Sequence, residues 1–241
     1  MDHVSLIERC DPSIFSIRSE TSPGDKRTLL GLQNIARRHP YRYLEIGSFL
    51  GGTLVPHMLD AACETVCSID KRPAEQPDER GQVFPYADST TARMIRNLAE
   101  IVPPENMRKL RTIDGDASDI QRDLALAHFD LAFIDGEHTN RAAFNDFLAV
   151  RPWMKPDSII AFHDAGIVFD ALDNIISMLK FEQIRFRYVM LPDSVFAILF
   201  GNLIDSDGDE VASRGRDWRE YVVALRKWLN REIAASVAAG H

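Results

Sequence analysis

Cysteine is scarce in this chain, and its placement excludes cross-linking. The three residues, Cys10, Cys63 and Cys67, cannot build a disulfide framework. No second Cys or His pair follows Cys63 and Cys67 at zinc spacing, which argues against a structural zinc site. Unpaired thiols fit a reducing cytoplasm. No apolar run is long enough to span a bilayer. Met1-Asp2-His3-Val4 lacks the basic region and apolar stretch of a signal peptide. Positive charge is short as well. The formal net charge is −8 and no Lys/Arg cluster offsets it, so neither nucleic acid nor a membrane is an expected partner. Internal repeats and low-complexity tracts are missing. So are the Gly-x-Gly-x-x-Gly fingerprint of dinucleotide sites and the Gly-x-x-x-x-Gly-Lys-Ser/Thr of nucleotide phosphate loops.

What is present is alternation. Strand-like segments at Tyr41–Gly47, Thr65–Asp70, Lys109–Ile113, Phe129–Asp135 and Ser158–Asp164 are separated by helical patterns at Lys26–Arg38, Thr53–Ala62, Ser89–Val102, Arg141–Trp153 and Phe169–Lys180. Such alternation predicts crossover units and a mostly parallel sheet covered on both faces. Ile184–Met190 and Val195–Phe200 are too close together for a crossover, so they predict a hairpin and an antiparallel strand late in the chain. Ser22, Pro23 and Asp25 read as the start of a helix. Phe144, Phe147 and Trp153 fall at helical spacing and read as core. Asn202–Asp217 reads as a polar loop. Its Asp205–Glu210 stretch has its glycine misplaced for a calcium loop. Trp218–Val237 reads as a terminal amphipathic helix, able to pack on the domain or on a second copy.

The most informative stretch is Glu45-Ile46-Gly47-Ser48-Phe49-Leu50-Gly51-Gly52-Thr53, in which an apolar strand ends in an acid and a glycine-rich turn leads into a helix. Glycines let a ligand approach the backbone closely. In an open parallel sheet ligands bind beyond the carboxyl ends of the strands. Acids stand at or just past those ends: Glu45, Asp70, Asp114 and Asp116, Asp135, and Asp164. Such a rim is costly unless something cationic or hydroxyl-bearing meets it, although single acids there also cap helices. Asp70 is placed to accept both hydroxyls of a ribose, and Asp116-Ala117 to read an adenine amine. A phosphate-rich ligand would be repelled and a sulfonium favoured.

These residues resemble the class I S-adenosylmethionine-dependent methyltransferases, over about Thr21 to Gly201. Ser68-Ile69-Asp70 is similar to the ribose-binding motif and Asp114-Gly115-Asp116-Ala117 to the adenine-side turn. Phe133-Ile134-Asp135-Gly136-Glu137-His138-Thr139 and the run Trp153–Asp164 resemble a small-molecule O-methyltransferase branch with catechol-type and antibiotic-sugar-type relatives. The resemblance implies a Rossmann-like, doubly wound α/β fold. It implies S-adenosylmethionine bound by Glu45, Gly47, Ser48, Gly51, Thr53, Asp70, Asp116, Ala117 and Asp135, and a hydroxylated small molecule as substrate. His138 stands where catechol-type relatives carry a basic lysine, so His138 and Asp135 are the expected catalytic pair. A divalent metal is also implied, with Asp135 and Asp164 matching two ligand positions and His163 beside them. An imidazole there tilts the preference from magnesium toward a transition metal. The expected layout is a cap segment over residues 1–23, the cofactor domain over 24–201, and a loop with a terminal helix over 202–241. The terminal helix is a candidate seam for a homo-oligomer. A nicotinamide-dependent oxidoreductase on a related fold, which the glycine spacing opposes, and a non-catalytic cofactor-binding protein are the alternatives. The acceptor is expected to be chosen by Met1–Glu20, Lys71–Tyr86 and Asn202–Asp217.

Overall fold

The structure, a computed structural model, describes residues 2–86, 88–120, 128–204 and 215–239, with side chains as far as 234. The Asp205–Glu210 stretch lies outside the described residues. Among the described residues nine strands run in chain order: β1 (Tyr41–Ile46), β2 (Cys63–Asp70), β3 (Glu75–Pro77), β4 (Val83–Pro85), β5 (Leu110–Asp114), β6 (Phe129–Ile134), β7 (Met154–Phe162), β8 (Phe186–Met190) and β9 (Phe196–Phe200). Described helices are α1 (His3–Glu8), α2 (Pro23–Ala36), α3 (Val55–Leu59), α4 (Thr91–Ala99), α5 (Pro104–Met107), α6 (Asn140–Val150), α7 (Phe169–Phe181) and α8 (Trp218–Ala239).

Seven strands form one sheet in the order β5-β2-β1-β6-β7-β9-β8, and β9 alone runs antiparallel to its neighbours. The late antiparallel strand is therefore inserted between β7 and the earlier β8. Period-two alternation explains how both faces are buried. Leu44 and Ile46 of β1 and Ala132 and Ile134 of β6 join the core under α6 and α7. Tyr41, Tyr43, Leu131 and Phe133 join the core under α2, α3 and α4.

Several local expectations need correction. The helix expected over Thr53–Ala62 is only Val55–Leu59, because Asp60 leaves the helix with ψ 120 and its carboxylate is drawn to Arg37. The helix expected over Ser89–Val102 covers Thr91–Ala99, and Pro103-Pro104 starts a separate turn, α5. Lys71–Tyr86 is not plain loop: it contains the β3–β4 hairpin, whose three-residue strands are too short to show alternation. Strand β7 begins at Met154 rather than Ser158, with a register irregularity opposite Phe129 and Leu131 that accommodates Pro156.

Helix α8 packs on its own domain. Trp218 stacks near Phe196 at 4.7 Å between centroids and donates from Nε1 to Asp173 Oδ1 at 2.7 Å. No described helix is long and apolar enough to cross a membrane.

The sheet order reverses between β1 and β6, which run in opposite connection directions from that point, and such a switch point opens a crevice at the carboxyl edge. Backbone bonds carry the ladder one rung past the strand ends. Gly47 N–H donates to Ile69 O, Asp135 N–H to Ile46 O, and His163 N–H to Ile134 O. Gly47, Asp135 and His163 are thus aligned along one rim before any side chain is considered.

Candidate active site

The turn after β1 is shaped by close approach. A Cβ on Gly47 would lie 2.1 Å from the Asp135 carbonyl oxygen, and its φ is +84°, so only glycine fits where the two strand ends meet. Gly51, expected beside the cofactor, instead faces α4, where a Cβ would stand 2.9 Å from Met94 Cγ. Gly52, absent from the expected set, lines the cavity together with Gly47, Ser48 and Thr53.

Glu45 is turned away from that cavity. It is fully buried, accepts from the Thr53 hydroxyl at 2.7 Å and from the Tyr43 hydroxyl, and burial pushes its carboxyl up to about 7. It holds the glycine turn from beneath. The strand's period of two explains this: Glu45 shares the face of Tyr41 and Tyr43 that packs toward α3.

Asp70 ends β2 and lines the cavity, held by Phe49 N–H at 3.1 Å, Arg72 N–H at 2.8 Å and Arg72 Nη1 at 3.1 Å. Asp116 lies farther along the rim and is committed to Lys71 Nζ at 2.7 Å and to Ser118 N–H at 2.8 Å, while its neighbours Gly115 and Ala117 line the adjoining cleft. Asp114 accepts from the Thr91 hydroxyl. The acidic rim is therefore partly neutralised from within, by Arg72, Lys71 and His163, which the sequence pattern did not reveal.

At the ends of β6 and β7 four groups converge. His163 Nδ1 lies 3.1 Å from Asp135 Oδ1 and 3.2 Å from Asp164 Oδ2, and its Nε2 lies 3.4 Å from Asp25 Oδ2. His138 Nε2 lies 3.2 Å from Asp164 Oδ2 and 3.7 Å from Asp135 Oδ1. Burial alone would lower the pKa of His163, but the surrounding carboxylates outweigh it and raise it well above the ordinary imidazole range. The same contest raises His138, with the N–H it offers to Asp135 and the charge of Asp164 prevailing over burial. Asp164 is held down to about 2, because bonding and charge from His163 overcome its burial. Its φ of +47° is a left-handed turn that aspartate tolerates.

Asp25 was read as a first-turn acid of α2. It is that, with its N–H bonded to Ser22 Oγ, but its carboxylate also accepts from Ser194 N–H at 2.8 Å and faces His163. Ser194 sits in the β8–β9 connection, so the site is braced across elements distant in sequence.

Among the described residues, the group able to hold a metal is Asp135, His138 and Asp164, whose ligand atoms lie within 4.8 Å of one another. Asp135 and Asp164 are together as expected. His138, expected as a base, joins them in that group, while His163 has Nδ1 toward Asp135 and Asp164 and Nε2 toward Asp25.

The cavity around these groups has a volume of about 220 Å³. Its far wall is supplied by Arg18–Thr21 and by Gln76, Arg80, Phe84 and Tyr86 of the β3–β4 region. That hairpin is tied to the turn after β6: Glu79 N–H donates to His138 O at 3.0 Å, and Glu79 Oε1 accepts from Asn140 N–H at 2.6 Å.

Solved structures share this fold. The O-methyltransferase TomG from Streptomyces achromogenes, in complex with S-adenosylmethionine, is 15% identical with a TM-score of 0.53, covering 84% of this chain and 91% of that one. The methyltransferase PaMTH1 from Podospora anserina, bound to S-adenosylhomocysteine, is 15% identical with a TM-score of 0.53, covering 83% and 86%. CalS11, a calicheamicin methyltransferase, is 15% identical with a TM-score of 0.53, covering 83% and 93%. Comparison with curated protein sequences finds no match. A family model described as a methyltransferase domain matches residues 44–165, half of the sequence, from β1 through Asp164. The chain belongs to this methyltransferase family and is a class I S-adenosylmethionine-dependent methyltransferase.

Proposed function

We propose that this methyltransferase transfers the methyl group to a hydroxyl of a small molecule, with His138 as the base. The observation that carries this reading is the placement of His138 between Asp135 and Asp164 on the wall of the cavity that also holds Gly47 and Asp70. The acceptor oxygen attacks the methyl carbon, the carbon–sulfur bond breaks, and its electron pair stays on sulfur. The hydroxyl proton passes to the His138 imidazole, on the ring nitrogen other than the Nε2 that faces the two carboxylates. Asp135 and Asp164 orient the ring, and the charge they gather is balanced by the His163 imidazolium beneath. In-line alignment of oxygen, methyl and sulfur contributes most of the acceleration.

In the same reading Asp70 accepts from the ribose hydroxyls, Gly47, Ser48 and Thr53 border the methionine portion, and Ala117 borders the adenine end. Glu45 and Gly51 support the turn from behind. Residues 24–201 form the cofactor domain, with α1 and the segment before α2 closing one side.

A metal-assisted reading has its own observation, the Asp135–His138–Asp164 cluster. Two carboxylates and an imidazole suit a divalent ion, which would supply Lewis-acid lowering of the acceptor hydroxyl's pKa. His138 would then be a ligand and not a base. A panel of hydroxylated acceptors, assayed with and without chelator, separates the two. Turnover that survives chelation and is lost in His138→Ala supports the base. Turnover abolished by chelator and restored by added magnesium or manganese supports the metal. Cofactor binding without turnover on hydroxyls, but with turnover on amines, removes oxygen transfer altogether.

The exposed Val223, Trp228 and Ile233 on α8 make that helix the candidate seam of a homodimer. A monomeric mass by sedimentation would remove that part of the reading. The buried free thiols of Cys10, Cys63 and Cys67 suit a reducing, cytoplasmic setting.

A further inference from the structure

The turn of the β3–β4 hairpin carries an arginine that is folded inward. A hairpin tip is ordinarily where a long cation reaches into water, yet Arg80 lines the same cavity as His138, Asp135 and Asp164, and its side chain is only 23% exposed. Resting on the oxygen-transfer reading above, we propose that Arg80 chooses the acceptor, by pairing with a carboxylate that the hydroxylated molecule carries.

Asp78 is what holds the guanidinium in. Its side chain is fully buried, and its Oδ1 accepts from the Arg80 N–H at 2.8 Å and the Gln82 N–H at 3.2 Å, which folds the tip back on itself. Its Oδ2 accepts from Arg80 Nε at 2.6 Å and from Nη2. The centre of the Phe84 ring lies 5.5 Å from the guanidinium carbon. One edge of the fork is thereby taken, and Nη1 has no hydrogen-bond or ion-pair partner among the described residues. Holding so flexible a side chain in one pose costs entropy. The pose leaves a fixed donor edge that suits a planar carboxylate, and five donors let one guanidinium serve two carboxylates on different edges.

The other cations around the cavity are already matched. His163 faces Asp25, Asp135 and Asp164, and His138 faces the last two. Arg72 is tied to Asp70 and to the Phe49 carbonyl. Arg18 also lines the cavity, but its side chain is 74% exposed and lies 3.6 Å from Glu20. One remaining arginine edge fits a single negative charge, whereas a phosphoryl dianion would call for a second cation. The hairpin sets the spacing too. Glu79, the residue before Arg80, donates its N–H to His138 O, and its Oε1 accepts from the Asn140 N–H. The guanidinium and the base therefore belong to one bonded unit, and an acceptor seated on Arg80 by its carboxylate has its hydroxyl held on the His138 side.

Calorimetry on the protein saturated with S-adenosylhomocysteine tests this with two matched pairs, 3,4-dihydroxybenzoate against 3,4-dihydroxybenzamide and glucuronate against glucuronamide. In at least one pair wild type is expected to bind the acid about tenfold to a hundredfold more tightly, the range of a hydrogen bond to a charged group. Arg80→Gln, which removes the charge, should bring that pair to within about threefold. Arg80→Lys should keep part of the preference, since it retains the charge without the fork, and Arg18→Gln should keep it whole. Melting curves and S-adenosylhomocysteine affinity show that each variant is folded and loaded, and the wild-type preference is read without any variant. Equal binding of acid and neutral partner in both pairs, binding of no member of either pair, or a preference that Arg80→Gln leaves intact overturns the assignment to Arg80. Failure of wild type to bind S-adenosylhomocysteine overturns it together with the cofactor reading. An acid that binds through Arg80 but is methylated by S-adenosylmethionine only when an amine replaces its hydroxyl keeps the assignment and removes oxygen transfer.

Discussion

His163 faces carboxylates from three elements: Asp25 of α2, Asp135 after β6 and Asp164 after β7. A buried imidazole in that setting gains more from its partners than it loses to desolvation, so it stays charged and serves as a fixed internal cation. His138, whose side chain is 22% exposed against 8% for His163, faces two of the same acids and lines the cavity with it. The two imidazoles differ in which ring nitrogens face carboxylates, and contacts of the same kind set two single-residue predictions. Asp70→Ala should weaken S-adenosylhomocysteine binding by about 1–3 kcal/mol through lost ribose hydrogen bonds, read by calorimetry. Unchanged affinity would remove the ribose assignment. Gly47→Ala forces a Cβ to 2.1 Å from the Asp135 carbonyl at a left-handed backbone position. It should cost about 2 kcal/mol or more in urea unfolding and displace the β6 end that carries Asp135.

At the scale of elements, helix ends and short connections do most of the positioning. The start of α2 combines a cap with a brace, since Ser22 bonds Asp25 N–H and also donates to Asp193 at 2.7 Å. Ser22→Ala should lower stability by about 1 kcal/mol, measured as a fall in melting temperature. Because Asp25 would lose one of its neighbours, activity should fall more than cofactor affinity. An effect on stability alone would show that the brace does not reach the site. The β3–β4 hairpin, tied to the His138 turn by Glu79, forms one wall of the cavity. It was legible only as a variable loop, because strands of three residues, with Pro77 and Pro85 in them, carry no periodic signal. Helix α8 docks through Trp218. Truncation to alanine should cost about 3–5 kcal/mol and render α8 sensitive to limited proteolysis ahead of the core.

For the molecule as a whole, a buried network on the far side of the sheet from α6 makes stability depend on pH. His57 is buried, stacked on Tyr43 at 3.5 Å and bonded to the Tyr41 hydroxyl at 3.0 Å, and burial pulls its pKa down to about 3. An unfolded histidine titrates near 6.5. Between those values the unfolded chain takes up a proton that the folded chain refuses, so stability present above pH 6.5 is lost as pH falls toward 3. Asp60, held below its ordinary value by Arg37 and the Ala62 N–H despite burial, acts in the same direction at lower pH. From pH 7 to pH 4.5 the His57 contribution amounts to about 2–3 kcal/mol. His57→Phe should flatten that part of the profile in urea titrations. An unchanged slope would place the acid sensitivity elsewhere.

Strand–helix alternation, the glycine turn after β1, the place of Asp70 at the end of β2 and the pairing of Asp135 with Asp164 were all readable from residue order, since each depends on local periodicity or on strand-end position in a sheet of known sense. What only the tertiary structure decided is the direction in which each side chain points and what neutralises it. Glu45 turned inward because of strand parity, Asp116 was claimed by Lys71, and His163 was locked by an acid 138 residues earlier in the chain. Those outcomes rest on contacts between distant segments, and electrostatic energy depends on separation in space, which residue order alone does not encode.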